Sequence, residues 1–208
     1  MSNTKNIKII AIGADHGGLA MKSDLKIYLT DRGYTIKDCG TNIPPPASVD
    51  YPKYAYAVAK TVAENNADIG IMIDGAGIGS AMTANKVSGI RAALCYDILT
   101  ARNAREHNNA NVLTLGASFI AKGLAKQIVD TFISTECTVE RHLQRVAMIN
   151  QLDNKQSIHL DNDIRSDDEK SINGVNLTNE DIFKIANRIS QLVVVPDNHN
   201  SAVRRCRI

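Results

Sequence analysis

Residues 69–82, IGIMIDGAGIGSAM, decide how this chain folds and where its chemistry lies. The first half is a short, continuous apolar run rich in isoleucine, the pattern of a strand buried on both faces of a parallel sheet. It stops at Asp74, and glycines follow at 75, 77 and 79 before a helical pattern begins. Glycines at this spacing let successive backbone N–H groups turn inward around an oxyanion. The order G-x-G-x-G is not a dinucleotide fingerprint, and no P-loop lysine follows. Tight packing at a strand–helix turn also selects glycine, so the triplet alone leaves cradle and packing both open. Asp74 stands at the mouth of this turn, where a carboxylate can take a proton, repel a ligand or hold a structure.

Outward from this stretch the same theme repeats from residue 7 to about 134. IKIIAIGA, YTIKDCG, IGIMIDG, IRAALCYD and NVLTLGAS read as strands. GGLAMKSDLKIYLTDRG, YPKYAYAVAKTVAENNA, GSAMTANKV, ILTARNAREHN and IAKGLAKQIVDTFIST read as helices, the first ending at Gly33. Five strands alternating with five helices predict an α/β fold, a Rossmann-like five-stranded parallel sheet with helices on both faces and a flavodoxin-like or Rossmann-like strand order. Ligands of such sheets bind beyond the carboxyl ends of the strands. The domain is expected to span 1–150. Residues 151–177 are polar and rich in Asn and Asp, a linker pattern. Residues 178–208 read as a capped helix and a short strand, an appendage too small to bury a core alone, suited to docking on a partner or assembly.

A net charge of +2 and a hydrophobic fraction of 44% describe an ordinary globular chain and give no electrostatic case for nucleic acid or membrane partners. The four cysteines, Cys39, Cys95, Cys137 and Cys206, are widely spaced and form no CxxC pair, which argues against a zinc site or a disulfide framework. The polar N-terminus leads straight into a strand, and no apolar run has the length of a membrane span. A soluble, cytoplasmic protein is expected.

Chemistry-bearing residues follow the strands. Asp15 and His16 come directly after the first, beside a helix N-terminus; they suit proton exchange, or equally a helix cap and a surface residue. Arg105, His107 and Asn108 lie where the fourth helix turns toward the fifth strand. There a histidine suits acid–base work or favourable contact with the helix dipole. Arg141 and Arg145, at i and i+4 in ERHLQRV, share one helical face, which suits a phosphate or simple solvation.

Taken together, GADHGG, DYPKYA, GAGIG, ANKVSGIRAAL, AREHNNANVLTLGA and ERHLQRV resemble the RpiB/LacAB family of sugar-phosphate isomerases over residues 7 to about 150. The resemblance implies aldose–ketose isomerisation of a pentose or hexose phosphate through a cis-enediolate, with no metal or other cofactor. It also implies a homodimer or higher homo-oligomer whose subunits share active sites. It places Asp15 among the catalytic residues, with His16 beside it to bind substrate, and sets Gly75, Ala76, Gly77, Ile78 and Gly79 as the anion hole. His107 becomes the ring-opening group with Asn108 beside it, Arg141 and Arg145 the phosphate clamp, and Tyr51 a pocket residue. Asp74 stands where many relatives have a catalytic cysteine, Ala76 where a hydroxyl is common, and Ser118 where an arginine is frequent. Two functions fit this pattern: an isomerase with Asp74 as base, or a sugar-phosphate-binding or scaffold protein that kept the pocket without the chemistry and whose C-terminal segment docks to a partner or assembly.

Overall fold

The computed structural model describes residues 7–43 and 47–154, together with Lys184 and Arg188, two exposed helical residues. The chain divides into two units, residues 1–158 and 159–208. The first carries everything described below. Apart from those two residues, the expected appendage lies outside the described residues, as does the expected linker beyond residue 154.

The element order is β1 (Ile9–Ala14), α1 (Leu19–Thr30), β2 (Thr35–Asp38), α2 (Tyr51–Ala63), β3 (Ile69–Asp74), α3 (Ile78–Ala84), β4 (Ala92–Leu94), α4 (Ile98–Asn108), β5 (Val112–Gly116), α5 (Lys122–Ser134) and α6 (Glu140–Gln151), followed by a 3-10 turn at Leu152–Asn154. All strand pairs are parallel, in the order β2-β1-β3-β5-β4. The first three positions follow the flavodoxin order, while the last two strands are exchanged relative to it. Burial explains the exchange. Every residue of β5 is buried, so it takes an interior place, whereas the three residues of β4 are only half-buried and suit an edge.

Alternate residues of the strands feed two apolar layers. Ile10, Ile12, Ile71, Ile73, Leu113 and Leu115 pack with Leu25 and Leu29 of α1 and Ile128 and Phe132 of α5. Ala11, Met72 and Val112 face the other way, toward Ala55, Val58 and Ala59 of α2 and Ala84 of α3. Helix α1 begins where Asp15 Oδ1 accepts from the Gly18 N–H at 3.0 Å. Its chain reverses at Gly33, whose φ of +86° is the left-handed conformation expected of a glycine closing a helix.

The connection from β1 leads to one side of the sheet and the entry into β3 comes from the other. The crevice at the switch point therefore opens between the carboxyl ends of β1 and β3. The Asp15 N–H donates to the Ile73 carbonyl at 3.2 Å and ties those ends together.

Candidate active site

Asp74 is the last residue of β3 and is 5% exposed. The chain needs a sharp reversal here to enter α3, and Gly77 supplies it with φ +79°. A Cβ at Gly77 would stand 2.5 Å from Leu94 Cδ1 and 2.9 Å from the Leu115 carbonyl carbon, so backbone conformation and space both require glycine. The Asp74 carboxylate folds over its own turn. Its Oδ1 accepts from the Ala76 N–H at 2.8 Å and from the Gly77 N–H, and its Oδ2 accepts from the Ser80 hydroxyl. Two of the N–H groups expected to hold a ligand oxyanion thus surround a carboxylate of the protein itself. Contacts to the residues two and three ahead are an aspartate's way of stabilising a turn, and they account for the choice of Asp beside a glycine run.

Around this turn the structure gathers several expected residues. A Cβ on Gly79 would meet the Tyr51 phenol at 2.5 Å, so the Tyr51 ring lies against the glycine turn. Tyr51 opens α2, whose start is set by Asp50 and by Pro52 in the first turn. A Cβ on Gly17 would lie 3.5 Å from Gly75 N, which brings the start of α1 to the same crevice. Asp15 closes the turn that leads into that helix, through its bond from the Gly18 N–H. His16 Nδ1 accepts from the Val49 N–H at 3.2 Å, leaving Nε2 to carry the proton of the neutral ring. Ser118, after β5, donates its N–H to the Gly75 carbonyl at 3.0 Å. Ile78, which heads α3, is 47% exposed.

Cys95, just beyond β4, is 1% exposed, and burial pushes its thiol up to about 11, so it remains protonated at neutral pH.

The other expected residues form a second cluster. Helix α4 is capped by a reciprocal Asp97–Thr100 pair and ends at Asn109 in a left-handed conformation, just before β5. His107 and Asn108 therefore sit at the amino end of the sheet, separated from Asp74 by the length of β5, about 15 Å. His107 Nδ1 lies 3.1 Å from the Asn103 amide nitrogen, and its ring packs on His142 at 4.2 Å between centroids, tilted by 41°. His142, 4% exposed, accepts from Arg141 Nε at 3.2 Å and donates from Nδ1 to the Glu106 carbonyl. Arg141 and Arg145 are both exposed on α6. Arg105 is committed elsewhere, donating to the Ala110 carbonyl at 2.6 Å and the Thr135 carbonyl at 3.2 Å.

Much of the ANKVSGIRAAL…REHNNANVL block is explained by this junction. Arg91 donates to the carbonyls of Asn108 and Asn109, the Asn111 side chain bridges Gly89 and Arg91, and Asn85 pairs with both backbone groups of Ala92. These residues position His107 and Asn108 by fixing the end of α4. Beside them a cleft of about 650 Å³ runs along β4, lined in part by Leu94, Leu99, Asn103, Asn108 and Ile149.

His142, Tyr96 and Ser80 escaped the sequence reading. Tyr96 donates its phenol to the Ala76 carbonyl at 2.7 Å. For His142 a signal existed, since it lies between Arg141 and Arg145 in the same motif.

A family model described as Ribose/Galactose Isomerase matches residues 10–149. Ribose-5-phosphate isomerase B of Escherichia coli is 38% identical over 151 residues, covering 73% of this chain and all of that protein. D-erythrulose-4-phosphate isomerase of Pectobacterium atrosepticum is 40% identical over 127 residues, covering 61% of this chain and 83% of its own. The solved structure of Clostridium thermocellum ribose-5-phosphate isomerase B superposes with a TM-score of 0.69 at 44% identity, covering 72% of this chain and 99% of its own. With the α/β sheet, the glycine turn and the motifs agreeing over the same residues, the chain belongs to the ribose/galactose isomerase (RpiB/LacAB) family of sugar-phosphate isomerases.

Proposed function

We propose that this protein interconverts an aldose and a ketose phosphate of a pentose or hexose through a cis-enediolate, without a metal, and that Asp74 is the base. The observation that supports this most is the buried carboxylate at the carboxyl end of β3, set on a glycine turn in the crevice shared with Asp15, His16 and Tyr51. Asp74 takes the proton from C2 of the open-chain sugar and returns it to C1. Protonation removes the charge that draws the Ala76 and Gly77 N–H groups, which turns that pair toward the enediolate oxygen as negative charge develops there. The carboxylate beside the cradle is then part of the cycle, exchanging its donors with the intermediate.

His107 opens the ring, and Arg141 and Arg145 hold the phosphate. Within one chain these groups stand at the opposite end of the sheet from Asp74, so the working site joins the carboxyl-end cluster of one copy to the amino-end cluster of another. The exposed apolar side chains of Ile78, Met82, Leu99 and Phe119 support such an assembly.

The test is solvent exchange of the C2 proton of ribose 5-phosphate, followed by NMR in D2O. Wild type is expected to exchange it, and Asp74→Asn to abolish the exchange. Equal exchange in both would remove Asp74 from the role of base. The second reading, a protein that binds sugar phosphates without turnover, draws support from the three donors already engaged by Asp74. It predicts thermal stabilisation by ribose 5-phosphate with no proton exchange.

A further inference from the structure

Ser80 differs from four other helical hydroxyls among the described residues. Ser23, Thr61, Thr83 and Thr131 each donate to the carbonyl four residues back, at 2.8 to 3.0 Å. This is the ordinary resting place of a hydroxyl inside a helix. For Ser80, in the first turn of α3, the residue four back is Ala76, which precedes the cap Gly77, so no helical carbonyl stands at that distance. Ser80 instead turns its hydroxyl onto Asp74 Oδ2. Its side chain has no access to solvent, so water cannot replace that bond.

We propose that Ser80 is the positioning residue of Asp74. The proposal rests on the reading of Asp74 as the base but is testable without turnover. An ionised carboxylate only accepts hydrogen bonds. With Oδ1 engaged by the Ala76 and Gly77 N–H groups, rotation of the carboxyl group is stopped by the bond from Ser80 to Oδ2. The remaining lone pair of Oδ2 is then the one presented to a substrate carbon. Ser80 thereby couples the first turn of α3 to the orientation of a single oxygen.

The experiment follows the Asp74 side-chain carboxyl by carbon-13 NMR at neutral pH in the full-length protein, its signal assigned by its loss in Asp74→Asn. Loss of the hydroxyl donor changes the shielding of the carboxyl carbon, so Ser80→Ala is expected to move that signal. Ser80→Thr keeps the hydroxyl and is expected to restore the wild-type position. An unchanged signal in Ser80→Ala overturns the proposal. In parallel, kcat for ribose 5-phosphate is expected to fall about tenfold in Ser80→Ala with KM nearly constant, and to recover in Ser80→Thr. If wild type shows no turnover, the reading of Asp74 as base fails separately, while the carboxyl signal still decides the role of Ser80.

Discussion

Gly77 and Gly79, two residues apart on the same turn, are glycine for different reasons, and the difference is measurable. At Gly77 the backbone is left-handed and a side chain would strike Leu94 and the backbone of Leu115. Gly77→Ala is expected to lose about 1–2 kcal/mol for the left-handed conformation and about 1–3 kcal/mol more for overpacking, read by urea denaturation. At Gly79 the obstacle is the far end of the Tyr51 side chain, which can swing away. Gly79→Ala should therefore fold with a stability within about 1 kcal/mol of wild type, because a flexible ring yields where packed backbone does not. It should still raise KM for the sugar phosphate, and Tyr51→Ala in the same background should add little to that effect. At this scale the glycines at 75, 77 and 79 were legible as a turn that gathers N–H groups. Which anion fills it was not, because Asp74 reaches its donors only once β3 and α3 are in place. The dual geometry of Asp74, as turn lock and candidate base, depends on Ser80, the donor to its Oδ2.

Helix α1 and strand β2 are joined by a buried ammonium. Lys22 is 1% exposed, and its Nζ donates to both oxygens of Asp38, at 3.0 and 3.2 Å, to the Thr41 carbonyl at 2.7 Å and to Asn42 at 3.1 Å. Lys22→Met keeps the volume but leaves those acceptors short of a donor, a loss of about 1–3 kcal/mol by chemical denaturation. Asp38 keeps its ion pair with Lys26 in that variant. The same carboxyl carries a pH dependence. Burial raises it, but Lys26, the Gly40 N–H and Lys22 outweigh burial and hold it below its ordinary value. Because the folded value is the lower one, the unfolded chain binds the proton first. The stabilisation is therefore complete above the ordinary range near about pH 4 and is lost as pH falls through the folded value. The difference in melting temperature between wild type and Asp38→Asn should accordingly be largest at neutral pH and narrow on acidification below about pH 4. In the sequence, apolar residues every three or four positions mark α1, and Lys22 sits among them as an apparent mismatch. Only the return of β2 alongside β1 shows why a cation belongs there.

At the scale of the whole molecule the expected catalytic residues fall into two groups at opposite ends of one sheet, and the proposed assembly joins them. Mixing inactive Asp74→Asn with inactive His107→Gln under conditions that allow subunits to exchange should restore activity. In a two-fold dimer with random pairing, half the dimers are mixed and each carries one intact site, which gives about a quarter of the wild-type activity. No recovery on mixing, with exchange verified by mass, would place both groups in one subunit's site. The strand pattern, the glycine turn and the family motifs were determined by the sequence alone, because alternation, apolar runs and glycine spacing are local properties of a chain. The tertiary structure decided the rest: that β5 lies inside β4, that Asp15 is tied to the end of β3, that Arg91 and Asn111 hold the α4–β5 junction, and that the Asp74 carboxylate rests on its own turn. Each of these depends on which distant donor or apolar surface a residue meets, and that is determined by packing rather than by position along the chain.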